Sequence, residues 1–274
     1  MSLVEDPMDG RAAAVSAGGP LLAAEVIDVE ADVGRLWMLR SDALVAPAIR
    51  AAEGVWEPDL SAFLRRRLRP GDTFVDVGAH VGYFSLLAGS LVGPTGRVIA
   101  VEPEPLTRTL LQANLWRHRM EAATVVAAAA LDRRDHVRVG RSPEGIGQVL
   151  ADGQGGALLV PALPLDELLE GVEVDVVKLD CDFSDHLAVR GLRRTIESNP
   201  GITIVVEFVA VATDHRPGNL SGASGAEVLT EYRELPLRLR VLDPGGEAIS
   251  STDRQLLDQP PGGLQTLVLD NREG

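Results

Sequence analysis

The feature that most constrains the fold is an alternation of short apolar segments with helical segments through the middle of the chain. Nearly continuous apolar character over five to seven residues is typical of strands buried on both faces of a parallel sheet. Helical periodicity separates these segments, and the alternation predicts a doubly wound, mostly parallel α/β sheet with helices on both faces. The five segments are DTFVDVG (72–78), GRVIAVEP (96–103), ATVVAAAAL (123–131), VDVVKLD (174–180) and ITIVVEF (202–208).

Two later segments extend the predicted sheet. LRLRVLD (237–243) and LQTLVLD (264–270) bracket a turn-rich stretch, which indicates an antiparallel hairpin at the sheet edge. The expected architecture is therefore a seven-stranded, Rossmann-like sheet. Residues 136–164 are predicted to leave it as a hairpin excursion, and SDHLAVRGLRRTIES (184–198) is predicted to form one helix.

The organisation before this sheet is simpler. Residues 1–20 show no sustained period and are expected to be a mobile leader. Residues 21–55 contain short alternating segments broken at Gly34, which predict a small N-terminal β flank. The main α/β domain is then expected to span residues 56–270.

Composition excludes several classes of protein. The formal net charge of −14 disfavours a nucleic-acid partner, because such proteins gather Lys and Arg against phosphates. No apolar run approaches the ~18 to 20 residues that span a bilayer, so no membrane partner is expected. The single cysteine, Cys181, excludes an internal disulfide and favours a cytoplasmic location.

The turn after the first strand, VDVGAHVGYF (75–84), predicts a cofactor site. Glycines there let a ligand approach the free N–H groups of the following helix. Glu102, at the end of the next strand, is placed to accept hydrogen bonds from ribose hydroxyls. The dinucleotide pattern G-x-G-x-x-G lacks its middle glycine, and Asp76 is better matched to an amine than to a pyrophosphate. S-adenosylmethionine fits these residues.

The same blocks, together with GVWEPDL (54–60), resemble the FkbM-like family of class I S-adenosylmethionine-dependent methyltransferases. The resemblance covers roughly residues 56–208 and makes 56–270 the methyltransferase domain. It implies that a set of residues lines the methionine and ribose portions of the cofactor: Asp76, Gly78, Ala79, His80, Gly82, Tyr83 and Glu102. It also implies that the adenine lies beside Pro103, Glu104, Ala130, Leu131 and Asp132.

Glu57 matches the acidic residue of the family's Trp-Glu dipeptide and is expected to approach the cofactor, with capping of the following helix as the alternative. Two departures from the family pattern stand out. His80 replaces an Asn, and Asp182-Phe183 replaces Glu-Gly in a loop after the fourth strand. A missing glycine there puts the choice of substrate in question.

The expected reaction is O-methylation of a small hydroxylated molecule, which requires alignment of donor and acceptor and removal of a proton. Asp180 and Asp182 are the predicted catalytic carboxylates, with His186 and His215 as further candidate bases. No His or Cys cluster predicts a metal, although Asp180, Asp182 and Glu207 offer an alternative, an oxygen-rich magnesium site. The rival functions are an NAD-dependent oxidoreductase, disfavoured by the missing glycine and the lack of a Tyr-x-x-x-Lys motif, and a catalytically idle cofactor-binding domain.

Overall fold

The protein is described here by a computed structural model. The residues that the structure describes are 25–120, 123–142, 145, 147–150, 158–181, 184–210, 220–260 and 263–271. The predicted leader, the Asp182-Phe183 departure and His215 lie outside these residues.

Fourteen strands occur in the described part of the chain. In order they are β1 (Val26–Ala31), β2 (Gly34–Leu39), β3 (Thr73–Val77), β4 (Arg97–Val101), β5 (Ala123–Val126), β6 (Ala129–Leu131), β7 (Asp135–Arg141), β8 (Gly147–Leu150), β9 (Leu158–Pro164), β10 (Val176–Leu179), β11 (Thr203–Val209), β12 (Arg238–Leu242), β13 (Ala248–Ser250) and β14 (Leu264–Asp270).

Nine α-helices occur in the same part. They are α1 (Val45–Ala51), α2 (Pro58–Arg67), α3 (Tyr83–Val92), α4 (Pro105–Arg117), α5 (Leu165–Leu168), α6 (Asp185–Arg190), α7 (Arg193–Ser198), α8 (Gly225–Arg233) and α9 (Asp253–Leu257). None of the helices that the structure describes has the length and hydrophobicity that crossing a lipid bilayer requires.

The main sheet has eight strands in the order β13-β12-β14-β11-β10-β3-β4-β5. Five neighbouring strands, from β11 to β5, are mutually parallel, and β14, β12 and β13 continue the sheet in antiparallel pairing. The doubly wound α/β architecture is confirmed. The predicted count of seven strands is wrong because β13 adds an eighth, and its three residues are too few to show an alternating pattern.

The segment ATVVAAAAL does not form the single strand that its apolar run predicted. Its first half is β5, at the edge of the main sheet, and its second half is β6, which pairs with β9 in a separate four-stranded sheet of order β6-β9-β7-β8. The predicted hairpin excursion is thus part of a second sheet. No Gly or Pro marks the division, so the sequence carries no turn signal there.

The predicted helix over 184–198 is likewise divided into α6 and α7. The break lies at Gly191, where a side-chain Cβ would stand 2.1 Å from the backbone oxygen of Leu131. The chain passes so close to the second sheet at this point that only a glycine fits, and the close approach interrupts the helix.

Two hydrophobic clusters cover the two faces of the main sheet. Alternation along β3 sends Phe74 to the cluster beneath α2, α3 and α4, and sends Val75 and Val77 to the cluster beneath α6, α7 and α8. The chain runs from β3 outward to β5 and then returns to β10 on the other side of β3. The point at which strand order reverses therefore lies between β3 and β10, where ligands bind in sheets of this kind.

The N-terminal hairpin of β1 and β2 is attached to the main domain through Asn114 of α4. The Asn114 side chain is fully buried, donates to the backbone oxygens of Trp37 and Val81, and accepts from the Trp37 N–H. One side chain thus joins the flank to the turn that follows β3. The helix α1, after the hairpin, was not predicted.

We expect Asn114→Ala to lower the free energy of unfolding by roughly 2 to 4 kcal/mol. The substitution leaves backbone groups of Trp37 and Val81 without a hydrogen-bond partner, and each unsatisfied buried group costs about 1–3 kcal/mol. Urea unfolding measures this loss. Gln112→Ala is the matched control, since Gln112 lies exposed on the same helix. Equal stability of the two variants would show that the flank is not held in this way.

Candidate active site

A cavity of about 470 Å³ opens beyond the carboxyl ends of β3, β4, β10 and β11, at the point of strand reversal. Its volume is in the range of small-molecule and cofactor sites. Ten of the residues predicted from the sequence line it: Glu57, Gly78, Ala79, His80, Tyr83, Glu102, Pro103, Ala130, Leu131 and Asp180. Segments distant in the sequence are therefore brought to one place.

Four predicted cofactor residues, Asp76, Gly82, Glu104 and Asp132, do not line the cavity. Asp76 lies fully buried within β3 and accepts a hydrogen bond from Ser85 Oγ at 2.6 Å. Gly82 is the N-cap residue of α3. Glu104 caps α4 by accepting from the Thr107 N–H, and it also pairs with Arg141 at 2.9 Å. Asp76, Gly82 and Glu104 support the cavity wall from behind.

The turn after β3 is shaped by left-handed backbone conformations. Gly78 has φ 71°, and a Cβ there would stand 1.9 Å from the backbone oxygen of Asp180, so the ends of β3 and β10 touch at this glycine. His80 has φ 49°, which a residue other than glycine rarely adopts. Its ring lines the cavity and lies 3.9 Å, Nε2 to Oδ2, from the buried Asp42. Burial lowers the pKa of the His80 imidazole.

Glu102 holds this turn in place. One carboxylate oxygen accepts from the His80 N–H at 2.9 Å, and the other accepts from the Glu104 N–H at 2.8 Å. Each carboxylate oxygen can accept more than one hydrogen bond, so Glu102 retains acceptor capacity toward the cavity. Its position after β4 thus fixes the backbone of the turn.

Lys178, the only lysine in the chain, lies buried between the two strands that meet at the cavity. Its ammonium donates to the Gly78 backbone oxygen at 3.2 Å and to Asp180 Oδ2 at 3.0 Å, and it lies 3.5 Å from Asp76 Oδ1. Burial alone lowers the pKa of this ammonium, but Asp180 and Asp76 outweigh it and raise the pKa above its ordinary value. Lys178 therefore remains charged and fixes Asp180 relative to the turn.

Three carboxylates meet in the wall of the cavity. Glu57, Asp180 and Glu207 each place a carboxylate oxygen so that all three lie within 4.8 Å of one another. Burial, and then the negative charge of Asp180, raise the pKa of Glu57 to about 7. Burial, Asp180 and Glu57 together raise the pKa of Glu207 well above its usual range.

This group bears on the magnesium alternative. The structure brings Asp180 and Glu207 together, with Glu57 as the third member, while Asp182 lies outside the described residues. The ammonium of Lys178, 3.0 Å from Asp180, supplies positive charge at this place and would repel a divalent cation. The geometry therefore indicates that protons, and not a metal ion, neutralise the negative charge of these carboxylates.

Glu57 occupies the N-cap position of α2, but its side chain makes no capping hydrogen bond. Its backbone is left-handed, with φ 42°. The alternative role as a helix cap is thus not what the structure shows, since the carboxylate faces the cavity instead. The neighbouring wall is held by Tyr83, whose hydroxyl donates to Asp32 of the N-terminal hairpin at 2.8 Å.

His186, a candidate base, does not line the cavity. It is buried on α6, and its Nε2 lies 2.5 Å from Ser221 Oγ. Burial lowers its pKa. The other candidate, His215, lies outside the described residues.

Several lining residues were not predicted. Lys178 lies in the predicted strand VDVVKLD without a predicted role, Glu207 was named only as a possible magnesium ligand, and the sequence indicates no partner for either. A wall of the cavity comes from the start of α1 and from β8: Leu44, Val45, Gly147, Gln148 and Val149. These segments carry no motif, and β8 belongs to the second sheet, which the sequence did not predict.

A doubly wound sheet with a cavity at its strand reversal, a glycine turn after the first strand and an acidic residue after the second is a Rossmann-like fold that suits a nucleotide-like cofactor. A model of the methyltransferase FkbM domain matches residues 76–234, more than half of the chain. The chain belongs to this family, as the sequence predicted. The prediction of S-adenosylmethionine as the cofactor is confirmed at the level of the family.

Individual relatives match over shorter stretches. The chain is 49% identical over 53 residues to the 31-O-demethyl-FK506 methyltransferase FkbM of Streptomyces tacrolimicus, a match covering 19% of this chain and 20% of that protein. It is 29% identical over 76 residues to a probable cobalt-precorrin-6B C(15)-methyltransferase (decarboxylating) of Sulfurisphaera tokodaii, covering 28% and 40% of the two chains. The chain thus matches less than half the length of either curated relative.

The crystal structure of methyltransferase FkbM from Methylobacillus flagellatus KT superposes with a TM-score of 0.47 at 14% identity. That likeness covers 76% of this chain and 50% of the other.

We expect Lys178→Met to lower the free energy of unfolding by about 3–5 kcal/mol at pH 8, because it leaves buried carboxylates without their counter-charge. The loss should shrink as the pH falls. Burial raises the pKa of Asp76, and the charge of Lys178 opposes that rise. Without Lys178 the pKa of Asp76 in the folded variant is raised further, so Asp76 binds its proton more tightly in the folded state than in the unfolded state. Stability from such a group is present at low pH and is lost as the pH rises through the folded pKa.

Urea unfolding of both proteins at pH 5 and pH 8 measures the difference. Arg254→Met, at an exposed position, is the control. A loss that is the same at both pH values would contradict the assignment of Lys178 as the counter-ion of Asp76.

Proposed function

We propose that the protein is an S-adenosylmethionine-dependent O-methyltransferase that acts on a small hydroxylated molecule, with Asp180 as the general base. One observation carries this proposal. The Asp180 carboxylate, at the end of β10, opens onto the same cavity as the glycine turn after β3. Methylation of a hydroxyl requires a base that removes its proton and a methyl donor held beside it, and one cavity here contains both Asp180 and the turn proposed to hold the donor.

The residues of the cavity fit the cofactor. Glu102 is buried, is fixed by two backbone donors and has acceptor capacity left for ribose hydroxyls. At Gly78 the absence of a side chain leaves the backbone accessible, and the cavity wall carries more carboxyl groups than cationic side chains, which suits a ligand that carries an ammonium and a sulfonium. By the family resemblance, Pro103, Ala130 and Leu131 would flank the adenine.

S-adenosylmethionine, when bound, supplies a methyl group activated by its positively charged sulfur. The task of the chain is then to hold an acceptor oxygen in line and to take its proton. Asp180 is positioned for this by Lys178, which fixes one of its oxygens at 3.0 Å. The other side of the carboxylate remains partly exposed to the cavity, with about a quarter of the Asp180 side chain accessible.

The size and charge of the site support a small acceptor. A cavity of about 470 Å³ must hold the cofactor and the reacting part of the acceptor. The net charge of −14 disfavours a polyanionic nucleic-acid substrate. The single cysteine, Cys181, supports a cytoplasmic site of action. Asp182, the second proposed catalytic carboxylate, follows Asp180 by two residues.

We expect S-adenosylhomocysteine, at about 100 times its dissociation constant, to stabilise the fold by roughly 2.7 kcal/mol through mass action. NAD at the same concentration should give no comparable shift. Thermal unfolding with each ligand in parallel measures this. Stabilisation by NAD alone would favour the oxidoreductase and defeat the proposal.

Glu102→Gln tests the contact within that prediction. A charged acceptor is worth about 1.5–3 kcal/mol, so calorimetry should show affinity for S-adenosylhomocysteine reduced about 10- to 150-fold. Glu170→Gln, remote from the cavity, should bind like the wild type. An unchanged affinity in folded Glu102→Gln would limit Glu102 to holding the turn.

We expect Asp180→Asn to lower turnover by about 10²- to 10⁴-fold, the usual worth of a positioned base, while cofactor affinity stays within a few-fold. Release of S-adenosylhomocysteine in the presence of a panel of small hydroxylated acceptors measures turnover, and calorimetry measures affinity. Asp258→Asn, exposed on the surface, is the control. A collapse of affinity together with turnover would instead assign Asp180 to the cofactor's ammonium.

A further inference from the structure

The carboxylate end of the cavity carries more acidic groups than its cation can balance. In the described part of the chain, five carboxyl groups interact electrostatically with the Lys178 ammonium: Asp76, Asp180, Asp185, Glu57 and Glu207. Lys178 contacts two of them, with Asp180 at 3.0 Å and Asp76 at 3.5 Å. Glu57 and Glu207 are left beside each other without a cation of their own.

These two glutamates also lack hydrogen-bond donors. From the residues that the structure describes, neither side chain receives a hydrogen bond, although both are partly buried and both line the cavity. Their carboxylate oxygens lie within 4.8 Å of each other and of Asp180. Two carboxylates this close, away from a cation, repel each other unless one of them carries a proton.

We propose that Glu57 is the final acceptor of the proton that leaves the substrate hydroxyl through Asp180, and that Glu207 is a neutral carboxylic acid that positions Glu57. The inference rests on the proposed function and deepens it, because it assigns a destination for the proton. It also gives a role to two residues that methyl transfer by Asp180 alone does not use.

The proton path balances without any other reactant. The acceptor O–H bond breaks as the oxygen takes the methyl group, and the proton passes to a carboxylate oxygen of Asp180. Asp180 then passes it to the Glu57 carboxylate, across a separation of at most 4.8 Å that one water molecule can bridge. Asp180 returns to the carboxylate that pairs with Lys178, and Glu57 ends as a neutral acid.

Charge explains why the proton does not remain on Asp180. A protonated Asp180 would weaken its ion pair with the buried Lys178 ammonium and leave Asp76, at 3.5 Å, as the remaining carboxylate in contact with it. A proton on Glu57 breaks no ion pair and relieves repulsion from Asp180. The pKa of Glu57, raised to about 7 by burial and by Asp180, matches that of an efficient proton acceptor near neutral pH.

The groups that face the glutamates come from several elements. Asp76 on β3, Lys178 on β10, Asp180 just after β10 and Asp185 on α6 act on this pair electrostatically. Asp185 is itself buried, and burial followed by Asp180 raises its pKa to about 7. A titration near neutral pH must therefore be assigned by substitution.

Two isosteric substitutions separate the roles. Glu207→Gln keeps the shape and neutrality of a protonated Glu207, so turnover should stay within about tenfold of the wild type. Glu57→Gln removes the proton acceptor and should lower turnover by about 10²-fold or more. Glu197→Gln, at an exposed position on α7, is the matched control and should change neither quantity.

The pH dependence distinguishes a proton acceptor from a structural residue. The wild-type rate should fall about tenfold per unit as the pH drops below 7, because protonation of Glu57 removes the site that receives the proton. This dependence should persist in Glu207→Gln and vanish in Glu57→Gln.

A second readout needs neither cofactor nor acceptor. Because Lys178 is the only lysine, carbon-13 labelling of lysine gives one side-chain NMR signal at the centre of the site. That signal should shift with pH near 7 in the wild type and in Glu207→Gln, and the part of the shift due to Glu57 should be lost in Glu57→Gln. If Glu57→Gln does not fold, Glu57→Asp, which keeps the titrating group, should retain the shift.

Three results would overturn the proposal. The first is full turnover with an unchanged pH profile in Glu57→Gln, and the second is a Glu207→Gln variant as inactive as Glu57→Gln. The third is loss of the near-neutral NMR shift when magnesium chloride is added to the unliganded protein, since that would make the carboxylates a cation site. Loss of turnover in Asp180→Asn with full turnover in Glu57→Gln would leave the proposed function standing and remove only this inference.

Discussion

The buried ammonium of Lys178 is the interaction on which the site depends. It contacts the backbone of Gly78 in one strand-end turn and the carboxylate of Asp180 in the other, so it ties together the two strands between which the chain order reverses. It also lies 5.3 Å from the ring centroid of Phe84, at the start of α3. A buried charge is stable only where its partners are fixed, and the same partners shape the cavity.

Much of the fold was predictable because the central strands are long enough for their burial to appear in the sequence as an apolar run. β3, β4, β10 and β11 each lie within an apolar run, and each forms where predicted. The errors occur where no local signal exists. The apolar run continues from β5 into β6 without a glycine or proline. Only the strand pairing in the folded structure shows that β5 and β6 belong to different sheets. The three residues of β13 are too short for a pattern.

The site was predictable where a single turn or strand end carries the chemistry. Gly78, His80 and Glu102 are such residues, and they line the cavity. What the sequence could not show is which groups share one space. The proximity of Glu57 to Glu207 joins residues 150 positions apart, and no pattern in the sequence pairs them. The burial of Asp76 behind the cavity is a further result of packing.

Carboxyl groups outnumber cationic side chains in the cavity, and this excess gives the cavity as a whole a preference for positively charged ligands. Lys178 balances only part of the negative charge, so the remaining carboxylates must take protons or meet a cationic ligand. A ligand that carries an ammonium and a sulfonium satisfies this need, whereas a pyrophosphate would add to the repulsion. Two features therefore distinguish this site from a dinucleotide site. The turn lacks its middle glycine, which limits how closely a pyrophosphate could approach the backbone. The carboxyl groups at the ends of β10 and β11 make the cavity wall acidic, which favours a cationic ligand over an anionic one.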